Sequence, residues 1–138
     1  MKPKLTLRLF SALFIVTSGL ALAADMTVTL TGAQETPTPI TTEAQGTSTI
    51  KVSADKSVTG SVKTTGVAGT MAHVHLAAKG QSGPPIITLE KTSASEWSIP
   101  AGAKLTDEQY AAYKAGNLYV NVHSDAHKGG EIRAQLMP

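Results

Sequence analysis

The chain contains no cysteine. No disulfide can staple it and no thiolate can act as nucleophile or metal ligand, so a domain of this size must stand on its hydrophobic core, with a bound ion as the remaining cross-link. Aromatic residues are scarce: one Trp, three Tyr and two Phe. Phe10 and Phe14 both fall in the N-terminal leader described below, which leaves Trp97, Tyr110, Tyr113 and Tyr119. The core is therefore to be built from Val, Ile, Leu and Ala. A dominant charge is missing too. Lys2, Lys4 and Arg8, three of the twelve basic residues, precede Ala24, whereas all ten acidic residues follow it, so the remainder carries nine against ten and a net charge of −1. That leaves no basic stripe for nucleic acid or an anionic membrane surface. The acidic residues are scattered rather than paired, and no Ser-His-Asp spacing occurs, which removes support for hydrolytic chemistry.

Long apolar runs are also lacking, with one exception. Residues 9–20 are apolar apart from Ser, Thr and one Gly, follow the basic Lys2, Lys4 and Arg8, and lead into Ala21-Leu22-Ala23. This is the layout of a secretory signal peptide cleaved near Ala23/Ala24, and the run is too short for a comfortable membrane span. The expected organisation is a signal peptide at 1–23 and one domain at 24–138, periplasmic or secreted, with no membrane segment after cleavage and as a monomer.

What is present is period-two patterning. Residues 26–30, 46–53, 57–65, 71–77, 86–89, 96–99, 117–123 and 131–136 read as short strands, separated by turn-forming Gly, Pro, Asn and Asp. Residues 46–53 and 57–65 form an expected hairpin around Ala54-Asp55-Lys56. Residues 106–115 break the pattern: Thr106 is placed as an N-cap with Asp107 and Glu108 behind it, and Gly116 as the stop, predicting one short surface helix. Many short strands without βαβ alternation predict an all-β, antiparallel sandwich or barrel.

All four histidines lie in two of these strand regions, Ala72-His73-Val74-His75-Leu76 and the stretch 119–133. In a strand His73 and His75 project from one face and Val74 from the other; Tyr119, Asn121 and His123 likewise share a face. His127 follows in a turn. Imidazole nitrogens held by a sheet and one loop suit copper, with zinc as the alternative, and the candidate metal ligands are His73, His75, His123 and His127. Asp125 offers an oxygen in place of His127, or a partner for an imidazole N–H. Asn121 is placed either to orient His123 or to satisfy a buried backbone group. Gly129-Gly130 reads as a type I′ turn, and Glu131 with Arg133, two apart on one strand, as an ion pair.

The segments 30–37, 72–75 with 80–85, Leu105-Thr106, 118–123 and 129–136 together resemble the CHRD domain, a family named for repeats in the animal protein chordin and with many exported bacterial members. The resemblance implies an immunoglobulin-like Greek-key barrel similar to that of Cu/Zn superoxide dismutase. His73-Val74-His75 is similar to the His-x-His element that supplies copper ligands there, and His123 to a further copper ligand. No histidine lies between His75 and His123 to bridge to a second metal, so the resemblance implies a mononuclear copper site rather than a two-metal one. Two other readings follow: a copper-only dismutase-like enzyme, disfavoured by the lack of an evident guide arginine, and a protein-interaction module using the loops at 33–42 and 79–85. Those loops hold no Trp or Tyr to anchor an interface.

Overall fold

The computed structural model describes residues 27–138; the expected signal peptide at 1–23 lies outside them. Eleven strands and one α-helix follow in chain order: β1 (Val28–Thr31), β2 (Gln45–Ser48), β3 (Lys51–Val52), β4 (Val58–Thr59), β5 (Ser61–Thr65), β6 (Gly69–Leu76), β7 (Pro85–Thr88), β8 (Glu90–Ser93), β9 (Glu96–Ser98), α1 (Asp107–Lys114), β10 (Leu118–Ser124) and β11 (Ile132–Leu136). A single 3₁₀ turn, Gly32–Gln34, follows β1.

Nine strands form one antiparallel sheet in the order β7-β6-β10-β11-β1-β2-β5-β9-β8, while β3 and β4 pair separately. The strands at the two ends of that order, β7 and β8, are consecutive in the chain and separated only by Leu89. The sheet is therefore rolled into a nearly closed barrel, the expected all-β architecture. The Leu89 amide donates to Ala72 O (2.9 Å) and Lys91 Nζ to Gly69 O (2.7 Å), so both residues bracketing the junction's turn toward β8 are tied back to β6. Two connections, β5 to β6 and β9 to β10, cross between the halves of the sheet, as in Greek-key barrels.

The interior is filled as the composition demands. Leu30, Val62, Val74, Leu118, Val120, Val122, Ile132, Ala134 and Leu136 are buried, and Trp97 is the one large aromatic among them. Gly69 lies where a Cβ would touch both Trp97 and Val122, so the indole of β9 reaches across the barrel to β10.

Two expected strands are each broken in two. Residues 46–53 divide into β2 and β3, and 57–65 into β4 and β5, because the hairpin bends out of the main sheet. The bend turns Ile50 and Val58, both 3% exposed, into the core. Strand β8 carries no period-two signal: Glu90, Lys91, Thr92 and Ser93 are all exposed, as an edge strand with two wet faces permits. Helix α1 has the expected start, with a capping box in which Thr106 Oγ1 accepts from the Gln109 amide (3.1 Å) and Gln109 Oε1 from the Thr106 amide (2.9 Å). It lies on the surface, its Tyr110, Ala112 and Tyr113 packed against the barrel, and Lys56 pairs with Asp107 at its first turn.

Candidate metal centre

The centre is built on the middle of the sheet, where β10 pairs with β6 on one side and β11 on the other. On the inward face Val120 opposes Val74 and Ala134, and Val122 opposes Ala72 and Ile132. On the outward face Tyr119 opposes His75, Asn121 opposes His73 and Arg133, and His123 opposes Met71. One register thus packs the core and assembles the polar face, and a slip by one residue would exchange the two. The outward face is itself covered, for every residue of β10 and β11 is buried.

His73, His75 and His123 converge, with one ligand-capable atom from each lying within 4.8 Å of the others. His73 Nδ1 and His123 Nε2 are 3.0 Å apart. Nitrogens sharing an ion at about 2 Å each stand at most ~4 Å apart, so the widest pair needs to close by no more than a small side-chain rotation supplies. Backbone carbonyls fix the tautomers: His75 Nδ1 donates to Gly83 O (2.8 Å) and His123 Nδ1 to Lys128 O (2.8 Å). In each ring the proton is held at Nδ1 and Nε2 keeps its lone pair, the arrangement that outer hydrogen bonds give to metal-bound histidines. His123 Nε2 then accepts from His73 Nδ1–H, and ligation by His73 Nδ1 requires that proton to move to the ring's other nitrogen. His75 Nε2 is buried with no hydrogen-bond partner. The Asn121 side chain lies within its reach, raising the ring's pKa, and Asn121 Oδ1 is itself buried without a partner, so that amide and a bound ion are the two groups that can satisfy the nitrogen. Burial holds the His73 pKa below the ordinary value, helped by the neighbouring His123 and His75. It also lowers that of His75, outweighing the Gly83 bond that acts the other way. Both rings are therefore neutral at neutral pH, as ligation needs. The residues fit an imidazole-bound metal ion.

His127, the expected fourth ligand, is not in this cluster. It sits in the 125–130 turn and faces a depression formed with Glu35, Thr36, Pro37, Thr38, Ile40, Gly129 and Gly130. The reason is the turn's own geometry: the amides of Ser124 and His127 donate to each other's carbonyls, and the Gly130 amide donates to His127 O (3.0 Å), which curls the segment back before it can reach over His123. Nor is this a type I′ turn, since of the two glycines only Gly130 has a positive φ. Asp125 is exposed and outside the cluster too.

The expected Glu131–Arg133 ion pair is replaced by two separate arrangements. Glu131 Oε1 accepts from Thr42 Oγ1 (2.7 Å). Arg133, 2% exposed, donates to Thr36 Oγ1 (2.6 Å), Gln81 O (2.7 Å), Ala78 O (3.4 Å) and Gln135 Oε1 (3.0 Å). It thereby clasps the loops on either side, and Thr36 and Ser82 hydroxyls, 2.7 Å apart, close the clasp outside it. Its guanidinium carbon lies 3.5 Å from the Tyr119 ring centre, and the Tyr119 ring stacks on His75, with 4.6 Å between centres and 6° between planes. The Tyr119 hydroxyl also meets Gly83, accepting from its amide at 3.2 Å. His75 is thus held by a stack of Arg133 on Tyr119 on imidazole. Gly83 is required by close approach, since a Cβ there would overlap the Leu76 carbonyl oxygen.

Sequence reading missed both Arg133 and Glu35 as part of this face. Glu35 is 5% exposed and lies beside Asn121 and Arg133; Asn121 in turn adjoins His75. Strand parity with Asn121 was the available signal for Arg133. Glu35 had none, because a loop brings it there.

Against known proteins, the family model described as the CHRD domain matches residues 26–136. No curated protein and no solved structure matches the chain.

Proposed function

The chain belongs to the CHRD domain family, an extracellular-type β domain, and from that premise we propose that it is an exported protein binding a single copper ion through His73, His75 and His123. The observation that carries the reading is the convergence of His73, His75 and His123, one ligand-capable atom of each lying within 4.8 Å of the others, with the Nδ1 atoms of His75 and His123 pinned by backbone carbonyls. An all-imidazole donor set with no thiolate favours copper over zinc by the Irving–Williams order. Copper held there would supply a one-electron couple and a Lewis-acid centre. The chain's own contribution is to present neutral imidazoles, those of His75 and His123 in fixed tautomers, to wall the centre with Tyr119 and Asn121, and to leave His73 half exposed as the open side.

Turnover of superoxide, which the dismutase likeness implies, finds no support in Arg133. That side chain lies beyond the Tyr119 ring from His75 and spends its terminal N–H groups on protein acceptors, so it is not available to steer an anion to the centre. The interaction-module reading is weakened in the same way, because the two loops it would use are clasped to the barrel and to each other.

Titration of the metal-free protein with Cu(II) is expected to saturate at about one equivalent, with a His73→Ala/His75→Ala double variant losing at least about a hundredfold in affinity. Retention of full affinity by the double variant would leave the interaction module as the better reading.

A further inference from the structure

Strand alternation places one more donor on the face of the three histidines. Met71 precedes His73 by two residues, and β6 pairs regularly with β10 from Met71 to Leu76, so Met71, His73 and His75 project together. The same pairing sets Met71 directly opposite His123. Twice the strand rise puts its Cα about 6.6 Å from that of His73, and an opposed antiparallel partner lies about 4.5–5.5 Å away. Its neighbours along and across the strand on this face are therefore both members of the histidine cluster.

Met71 is 50% exposed, and among the described residues the only other large hydrophobic side chain so open is Met137. The two differ in setting. Met137 lies past the end of β11 against Gly116, whereas Met71 stands on a paired strand, two residues from His73 and directly opposite His123. A single exposed apolar residue ordinarily needs no explanation. A thioether between two imidazole ligands has a chemical one: sulfur is the soft donor that three imidazoles lack, and three rotatable bonds let it swing toward the centre or away.

We propose that Met71 is a fourth, thioether ligand that fits the centre for Cu(I). The proposal rests on the three-histidine reading and deepens it by naming the oxidation state the site accepts. Cu(II) is satisfied by nitrogen donors and gains little from a thioether; Cu(I) selects soft sulfur. The fourth position that sequence spacing assigned to His127 thus falls to Met71. No electron transfer is involved, since the ion is supplied in one state or the other.

The test is anaerobic titration with Cu(I) against a chromophoric Cu(I) chelator, alongside Cu(II) titration, on wild type and Met71→Leu. The leucine keeps the side chain's bulk at an exposed position, and equal thermal unfolding of the metal-free proteins confirms that both fold. Met71→Leu is expected to lose about tenfold or more in Cu(I) affinity and less than about twofold for Cu(II). X-ray absorption of the Cu(I)-loaded wild type should show sulfur scattering that Met71→Leu lacks. Equal Cu(I) affinities without sulfur scattering in the wild type overturn the role of Met71 and leave the three-histidine centre standing. A wild type that binds neither ion removes that centre, and this proposal with it.

Discussion

Glu35 is a carboxyl group working against its surroundings. Burial raises its pKa from 4.5 to about 7, outweighing the attraction of Arg133 and the contact with Asn121. Because the folded state holds this proton more tightly than the unfolded chain, Glu35 contributes stability at pH values below 4.5 that is lost as pH rises toward 7. His73 and His75 act in the opposite sense. Their folded pKa values lie below the unfolded one, so their contribution is present above pH 6.5 and is lost as pH falls. Between pH 4.5 and 7 the two slopes oppose each other, and the metal-free protein should show a flattened pH profile. Glu35→Gln removes one slope only. In urea unfolding with a chelator present, the variant is expected to exceed wild type by ~2 kcal/mol at pH 8 and to match it within about 0.5 kcal/mol at pH 5. A difference that is the same at both pH values would contradict this account. Single residues were unevenly legible. Four histidines confined to two strand regions announced a centre, but the fate of each depended on whether strand or turn carried it: parity fixed His73, His75 and His123, whereas nothing in the spacing of His127 encoded the backbone bonds that curl its turn away. Arg133 misled because its sequence neighbour Glu131 offered a charge, while the observed partners other than Gln135 come from loops 52 to 97 residues earlier.

Between elements, the coupling that matters is the one joining the loop at 77–84 to β6 and β10. Gly83 gives its carbonyl to His75 Nδ1 and its amide to the Tyr119 hydroxyl. It can do so only because the absence of a Cβ lets its backbone lie against Leu76. Gly83→Ala is expected to push the loop outward and free the ring it pins, lowering copper affinity about 10- to 100-fold, as loss of an outer hydrogen bond does; titration of the variant checks it, and unchanged affinity would show that His75 needs no such pin. The elements carrying the centre were readable in advance, since β6 and β10 alternate cleanly and α1 bears its own capping signal. Elements shaped by tertiary packing were not. The bend that separates β2 from β3 and β4 from β5 is made to bury Ile50 and Val58, and β8 exists because β9 offers it an edge, neither of which is written locally.

At the scale of the whole molecule, a barrel with an aliphatic core and no disulfide should fold without metal and unfold in one cooperative transition, indifferent to reductant. An ion that binds only the folded form adds about 2.7 kcal/mol at a hundred times its dissociation constant. For a domain of this size that raises the melting temperature by roughly 10 °C or more, which calorimetry with and without Cu(II) can measure; a metal-independent midpoint at saturating copper would count against the centre. The junction at Leu89 bears on a different hazard. An open sheet ends in two strands whose spare amides and carbonyls invite pairing with another chain, the usual template for aggregation. Here those two ends are neighbours on one continuous peptide, one beginning at Pro85, which has no amide hydrogen to offer, and the other carrying Glu90 and Lys91. A second copy arriving edge-on meets a proline and two charges, so the same residue that joins the sheet's two ends also leaves little edge open to misassembly.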